Sequence, residues 1–99
     1  MSDADQWEEI AVDLRVYDQA LATADADYAT EYERVIATLA LHELRTETLL
    51  RAERLCAGTA DVGRFTGAIQ ANMAAELALR RRIREFERLM EERDSATVH

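Results

Sequence analysis

The stretch WEEIAVDLRVYDQALATA, residues 7–24, is the clearest structural signal in this chain, because a regular stripe of apolar side chains runs along one side of the α-helix that it predicts. These apolar residues recur at spacings of three and four, and they are Trp7, Ile10, Leu14, Tyr17, Leu21 and Ala24. This spacing is that of a heptad seam. The sequence therefore predicts a first amphipathic helix over about residues 4–24.

The same segment carries nearly all of the net charge. Residues 1–33 hold ten acidic groups against Arg15 alone, and the whole chain has a formal net charge of -8. We expect the outer face of the first helix to be a block of negative potential, which either keeps the chain in solution or binds a basic surface. The candidate partner-binding residues of this acidic face are Glu8, Glu9, Asp13, Asp18, Asp25, Asp27, Glu31 and Glu33.

Length and composition favour one folded helical domain. The 99 residues suffice for a single small domain, and 48% hydrophobic residues with three glycines and no proline are typical of a folded helical chain. The single cysteine, Cys56, has no internal partner for a disulfide and is expected to be a small buried apolar residue. No apolar run has the length of a membrane span, so we expect no membrane association and a cytoplasmic location.

Two longer helices follow the first. Asp25 or Asp27 is expected to cap a second helix over about residues 28–57, which has apolar residues on two opposite sides and is therefore expected to lie between two neighbours. Gly58 suits the left-handed conformation that ends such a helix. The third helix is expected to start between residues 60 and 66 and to end near residue 93, with a disordered tail over residues 94–99.

These lengths predict an all-α fold in which helices 2 and 3 form a long antiparallel helical hairpin, completed by dimerisation. The first helix, at about 30 Å, is expected to be too short to reach the hairpin tip. Apolar tip residues would then be covered by a second copy in a homodimer, with the outer side of helix 3 as a second choice of interface. The residues expected at the tip interface are Leu49, Leu50, Leu55, Phe65 and Ile69.

Three groups of polar residues stand out in the second and third helices. Four arginines lie within residues 80–84, followed by Arg88, and we expect acids of the first helix to neutralise them, with a protein or nucleic-acid partner as the alternatives. His42 is expected to be a hydrogen-bonded structural histidine, because residue 39 is Leu and not the Glu of a di-iron motif. Asn72 and Glu76 interrupt the third apolar stripe, which favours a role in helix register.

No catalytic or cofactor motif is recognised, so we expect a non-enzymatic protein without a cofactor or bound metal. The predicted function is an acidic adaptor or inhibitor that binds a basic partner protein, for instance as a mimic of nucleic acid. Direct nucleic-acid binding is not expected for an acidic chain. The alternatives are a Mg²⁺-dependent hydrolase of the helical nucleotide pyrophosphatase type, using Glu43, Glu47 and Glu76, and a structural subunit of a larger helical assembly.

Overall fold

A computed structural model describes residues 3–97, and this part of the chain is all-helical. Its three helices are α1 (Asp3–Asp27), α2 (Glu31–Leu55) and α3 (Val62–Thr97). The predicted all-α class and the pairing of the second and third helices are confirmed. At 36 residues, α3 is about 54 Å long, which makes the molecule elongated. Its principal extents are 63, 25 and 20 Å.

The helix α2 lies between its two neighbours, as its two apolar sides predict. It packs against both α1 and α3, whereas α1 and α3 do not pack along their lengths. The core consists of apolar side chains from all three helices that are at most 7% exposed, and they include Ile10, Val35, Leu49, Ala52 and Ile69. A single layer of three helices results, with α2 in the middle.

The expectation that α1 falls short of the hairpin tip is wrong. The ring of Trp7 lies against the ring of Phe65, with 5.6 Å between centroids, so the start of α1 reaches the start of α3. The tip is therefore covered within one chain: Leu49 is 2% exposed and Ile69 is 7% exposed. Leu55 and Phe65 are half-buried as well.

Of the five residues expected at a dimer interface, only Leu50 is exposed, at 37%. The physical reason is that α1 has 25 residues, four more than the stripe of residues 4–24 predicts, and the same number as α2. Helices of equal length that pack antiparallel cover each other from end to end.

The turn between α1 and α2 also differs from the prediction. α1 continues through Asp25 and Asp27, and the N-cap of α2 is Thr30, whose hydroxyl accepts a hydrogen bond of 3.1 Å from the backbone N–H of Glu33. A hydroxyl at this position satisfies one of the free N–H groups of the first turn. The pattern Thr30-x-x-Glu33 is that of a capping box, so the signal was present in the sequence.

The second connection follows the prediction more closely. α2 ends at Leu55, and Gly58 adopts a φ of 83°, the left-handed conformation expected of a glycine after a helix. α3 starts at Val62, inside the predicted range. It continues to Thr97, so residues 94–97 are helical and not part of a tail. Val98 and His99 lie outside the described residues.

The C-terminal part of α3 extends past the start of α2. Tyr32, in the first turn of α2, lies edge-on against Phe86 with 5.6 Å between ring centroids. Beyond the level of Phe86 and Glu87, α3 therefore projects past the first turn of α2. Leu89 and Met90, in this projecting segment, are 48% and 42% exposed.

Candidate protein-interaction surface

The acidic residues of α1 lie largely on the flanks of the helix, where they pair with arginines of α2. Asp18 accepts a hydrogen bond of 2.9 Å from Nε of Arg45, and Asp25 lies 2.9 Å from Nη1 of Arg34. Nearer the tip, Arg51 lies 3.5 Å from Glu9 and 4.0 Å from Asp13. These ion pairs run along the whole of α1 and hold it antiparallel to α2.

Five of the eight acids predicted for partner binding are consequently in ion pairs within the chain, and they are Glu9, Asp13, Asp18, Asp25 and Glu31. Asp27 accepts a hydrogen bond of 3.0 Å from the hydroxyl of Thr23. Glu8 and Glu33 are exposed and form no ion pair with the described residues. Four of the paired acids, Glu9, Asp13, Asp18 and Asp25, lie beside arginines of α2, and their side chains remain 35% to 86% exposed.

The side of α1 that points away from α2 carries two valines. Val12 is 47% exposed and Val16 is 56% exposed, and they lie one turn apart at i and i+4. Glu8 precedes Val12 by another turn on the same side. We name Glu8, Val12 and Val16 the outer face of α1. Neither valine was among the predicted site residues, although apolar residues opposite the seam were the available signal.

A hollow lies beside the turn between α1 and α2. Tyr28 is 40% exposed and Ile36 is 42% exposed, and both line this hollow. Tyr32, Glu33, Ala37 and Ala40 complete it. Aromatic and acidic residues at an exposed turn match the composition of many protein-recognition surfaces.

Three arginines of α3, Arg80, Arg82 and Arg88, pair with acids of α2 and α3, and not with those of α1 as expected. Arg82 pairs with Glu31 at the start of α2, and its guanidinium also lies 5.9 Å from the ring centroid of Phe86. Arg88 pairs with Glu85 and Glu92 along its own helix. The cause is that α1 does not pack against this part of α3.

Arg88 changes the titration of its neighbour. Its hydrogen bond to the carboxylate lowers the pKa of Glu85 below the usual value, and the two acids raise the pKa of Arg88. Because the pKa of Glu85 is lower in the folded chain than in the unfolded chain, the pair stabilises the fold at pH values above the ordinary pKa of glutamate. This stabilisation is lost as the pH falls through the pKa of Glu85 in the folded chain. Both groups are fully exposed, so solvent screening keeps the contribution small.

We therefore expect Arg88→Met to raise the pKa of Glu85 to its ordinary value, because the donor to the carboxylate is removed. A pH titration of the Glu85 carboxyl carbon by NMR measures this change. Arg84→Met is the control, since Arg84 forms no ion pair with Glu85. A Glu85 pKa that moves equally in both variants would show that general surface charge sets it.

The interface of α2 and α3 contains a buried polar cluster, which we define as His42, Arg45, Thr46, Asn72 and Glu76. Asn72 is 3% exposed and Glu76 is 6% exposed. The Asn72 amide donates to the His42 carbonyl at 2.6 Å and to the Thr46 hydroxyl at 2.5 Å. Its Oδ1 accepts from Nδ1 of His42 at 2.6 Å and from Nη1 of Arg45 at 3.3 Å. All four hydrogen-bonding positions of the amide are used.

This cluster confirms His42 as a hydrogen-bonded structural histidine. Because Oδ1 of Asn72 accepts and cannot donate, the His42 proton resides on Nδ1. Through Arg45 the cluster continues to Asp18 on α1, so one chain of polar contacts joins all three helices. Buried polar groups that find all their hydrogen-bond partners only in one axial register of two helices favour that register. This fits the register role predicted for Asn72 and Glu76.

The carboxylates considered for Mg²⁺ do not converge. The same guanidinium nitrogen of Arg80 lies 3.3 Å from Glu76 and 3.8 Å from Glu43, between the two carboxylates. Glu76 also accepts a hydrogen bond of 2.6 Å from Thr46, whereas Glu47 is exposed to solvent. Within residues 3–97, no three His, Cys, Asp or Glu side chains are grouped to hold a metal ion. The guanidinium of Arg80 thus lies between Glu43 and Glu76, where the hydrolase hypothesis requires Mg²⁺.

Cys56 is 5% exposed, as expected of a small buried residue. Of the helices in the described part of the chain, none combines the length and apolar character that crossing a bilayer requires. Comparisons with models of protein families, with curated proteins and with solved structures find no match to this chain.

Proposed function

We propose that this protein is a non-enzymatic adaptor or inhibitor that binds a basic surface of a partner protein through α1. The observation that carries the proposal is the position of the charge. α1 holds eight acidic residues against Arg15 alone and so accounts for seven of the eight net negative charges. The helix forms one edge of the layer, where a partner can approach it without displacing α2 or α3.

The pairing of α1 acids with α2 changes how such an interface works. Asp18 and Asp25 are held in place by Arg45 and Arg34, yet their side chains remain 58% and 86% exposed. Ordered acids of this kind steer a basic partner and set its orientation, while exposed apolar residues supply the affinity. Val12 and Val16 are the apolar anchors of this interface, and Glu8 beside them is an exposed acid that forms no ion pair with residues 3–97.

A partner of this chemistry has lysines or arginines around a shallow apolar depression. Proteins that bind nucleic acid present such surfaces, so a mimic that blocks nucleic-acid binding is the form of inhibitor we favour. The regular acidic residues on both flanks of α1 then replace the phosphates.

The test is the salt and competition behaviour of a captured partner. We expect a partner held by the immobilised protein to elute with added salt and to be displaced by a DNA or RNA duplex, because ions screen exposed charges. Val12→Ser combined with Val16→Ser and Glu8→Gln should abolish capture with the fold intact, as followed by circular dichroism. The matched control is Glu87→Gln on α3, which removes the same charge at an exposed position of another helix.

Capture that is insensitive to salt, or that is lost equally with Glu87→Gln, would refute binding through α1. Salt-sensitive capture that a nucleic-acid duplex does not displace would leave the acidic adaptor in place and refute the mimic.

A further inference from the structure

One side of α2 contacts neither neighbouring helix. Its ion pairs with α1 use Arg34, Arg45 and Arg51, and its contacts with α3 use His42 and Thr46. The remaining side carries apolar residues that the fold leaves in solvent. Ile36 is 42% exposed, Leu44 is 43% exposed and Leu50 is 37% exposed, with Ala40 exposed between them.

The adjoining side of α3 is apolar as well. Met73 is 55% exposed and Leu77 is 45% exposed, and Arg80 and Arg84 continue the same stripe at i+7 and i+11 from Met73. Arg80 reaches across to Glu43 of α2, so this stripe borders the uncovered side of α2. We name Ile36, Ala40, Leu44, Leu50, Met73 and Leu77 the hairpin face.

Contacts along the hairpin show which residues are level with each other. Tyr32 lies beside Phe86, and Glu53 accepts a hydrogen bond of 2.7 Å from Thr66. Between these two contacts, Leu44 is level with Met73 and Ala40 is level with Leu77. The middle of the hairpin face is thus a patch of exposed apolar residues from both helices, crossed by the ion pair of Glu43 and Arg80. Such a patch, rimmed by charges, is typical of an interaction surface.

The charges around this patch are divided between the two helices. The α2 side carries Glu33, Glu43 and Glu47, and the α3 side carries Arg80 and Arg84; of these, Glu43 and Arg80 also pair with each other within the chain. When two hairpin faces meet with α2 against α2, acids face acids. When α2 of one copy meets α3 of the other, acids face arginines, which is favourable.

We propose that the hairpin face is where a second copy of this chain packs, related by a two-fold axis that runs parallel to the helices. This axis places each α2 antiparallel to α3 of the partner copy and at the same level, so Ala40 and Leu44 meet Leu77 and Met73. Four helices with antiparallel neighbours then form a bundle, a common arrangement for amphipathic hairpins.

The same axis brings Glu33 of one copy close to Arg84 of the other, because Glu33 is level with the region of Phe86. Neither Glu33 nor Arg84 forms an ion pair inside the described part of its own chain. Two such ion pairs per dimer, one at each symmetric position, complete an interface of the isologous kind.

The decisive measurement is the mass in solution by sedimentation over a wide concentration range. We expect twice the 11.2 kDa of one chain for the wild type and one chain for Leu77→Glu, because the glutamate would enter the apolar patch. Leu89→Glu is the matched control: Leu89 lies on the same helix and is 48% exposed, but it belongs to the segment beyond α2. It should remain dimeric.

A charge exchange tests the orientation separately. Arg84→Glu or Glu33→Arg alone should weaken the dimer by about tenfold or more, since each places like charges together at both symmetric positions. The two changes in one chain should restore the dimer, because the pair is then reversed. This double variant also decides the case if Leu77→Glu loses its helicity by circular dichroism.

A wild type that stays monomeric at every concentration overturns the proposal, as does a Leu89→Glu variant that dissociates like Leu77→Glu. A double variant that remains as weak as the single ones overturns the orientation. The variants on the outer face of α1 lie on another helix, so a failure of this proposal and a failure of the proposed function are distinguishable.

Discussion

Asn72→Ala is expected to lower the free energy of unfolding by about 2–4 kcal/mol, because buried partners of the amide lose their hydrogen bonds. The His42 carbonyl, Nδ1 of His42 and Nη1 of Arg45 all contact this amide. A domain of this size has only about 5–15 kcal/mol of stability, so the loss should shift Tm by about 10 °C or more. Urea unfolding followed by circular dichroism at 222 nm measures it.

The matched control is Gln70→Ala, which removes a side-chain amide from an exposed position two residues earlier on the same helix. Its effect should stay within about 0.5 kcal/mol. If Asn72→Ala and Gln70→Ala have equal effects, the polar cluster does not hold α2 and α3 together.

Ile10→Ala is expected to cost about 2–4 kcal/mol, because Ile10 is 2% exposed and its truncation leaves a cavity between α1 and α2. The expected loss is large enough to free α1 from the layer while α2 and α3 stay paired. Denaturant unfolding gives the free energy, and hydrogen exchange shows where protection is lost. Protection should fall in α1 more than in the polar cluster.

Val12→Ala is the control for Ile10→Ala, because Val12 lies on the same helix and is 47% exposed. It should change the stability by less than about 0.5 kcal/mol. Uniform loss of protection over all three helices in Ile10→Ala would contradict the separable docking of α1 and indicate one cooperative unit.

The existence of the helices was predictable, whereas some of their ends were not. The apolar spacing from Trp7 to Ala24 needs only local geometry, and Gly58 marked its turn through its freedom at positive φ. Asp25 and Asp27 are good capping residues in isolation, but Asp25 pairs with Arg34 across the turn, and α1 continues past both aspartates. The capping function falls to Thr30.

The candidate surface was predicted in part. The concentration of acids on α1 was visible in the sequence, whereas the pairing of four of them with arginines of α2 was not. The outer valines were missed, and of the hairpin face only Leu50 and, as a second choice, the outer side of the third helix were predicted as interface, for a shared reason. An apolar residue on a helix is exposed or buried according to which neighbour covers it, and composition alone does not identify that neighbour.

The amino-acid sequence was enough to predict three helices, their approximate extents, the middle position of α2 and the concentration of charge in α1. These properties depend on residues close together along the chain, so periodicity and turn chemistry reveal them. Three further features became visible in the folded chain alone: Trp7 reaches Phe65, α1 acids pair with α2, and Arg80 lies between Glu43 and Glu76. Each of these depends on the relative axial position of two helices, which is set by packing between residues far apart in sequence.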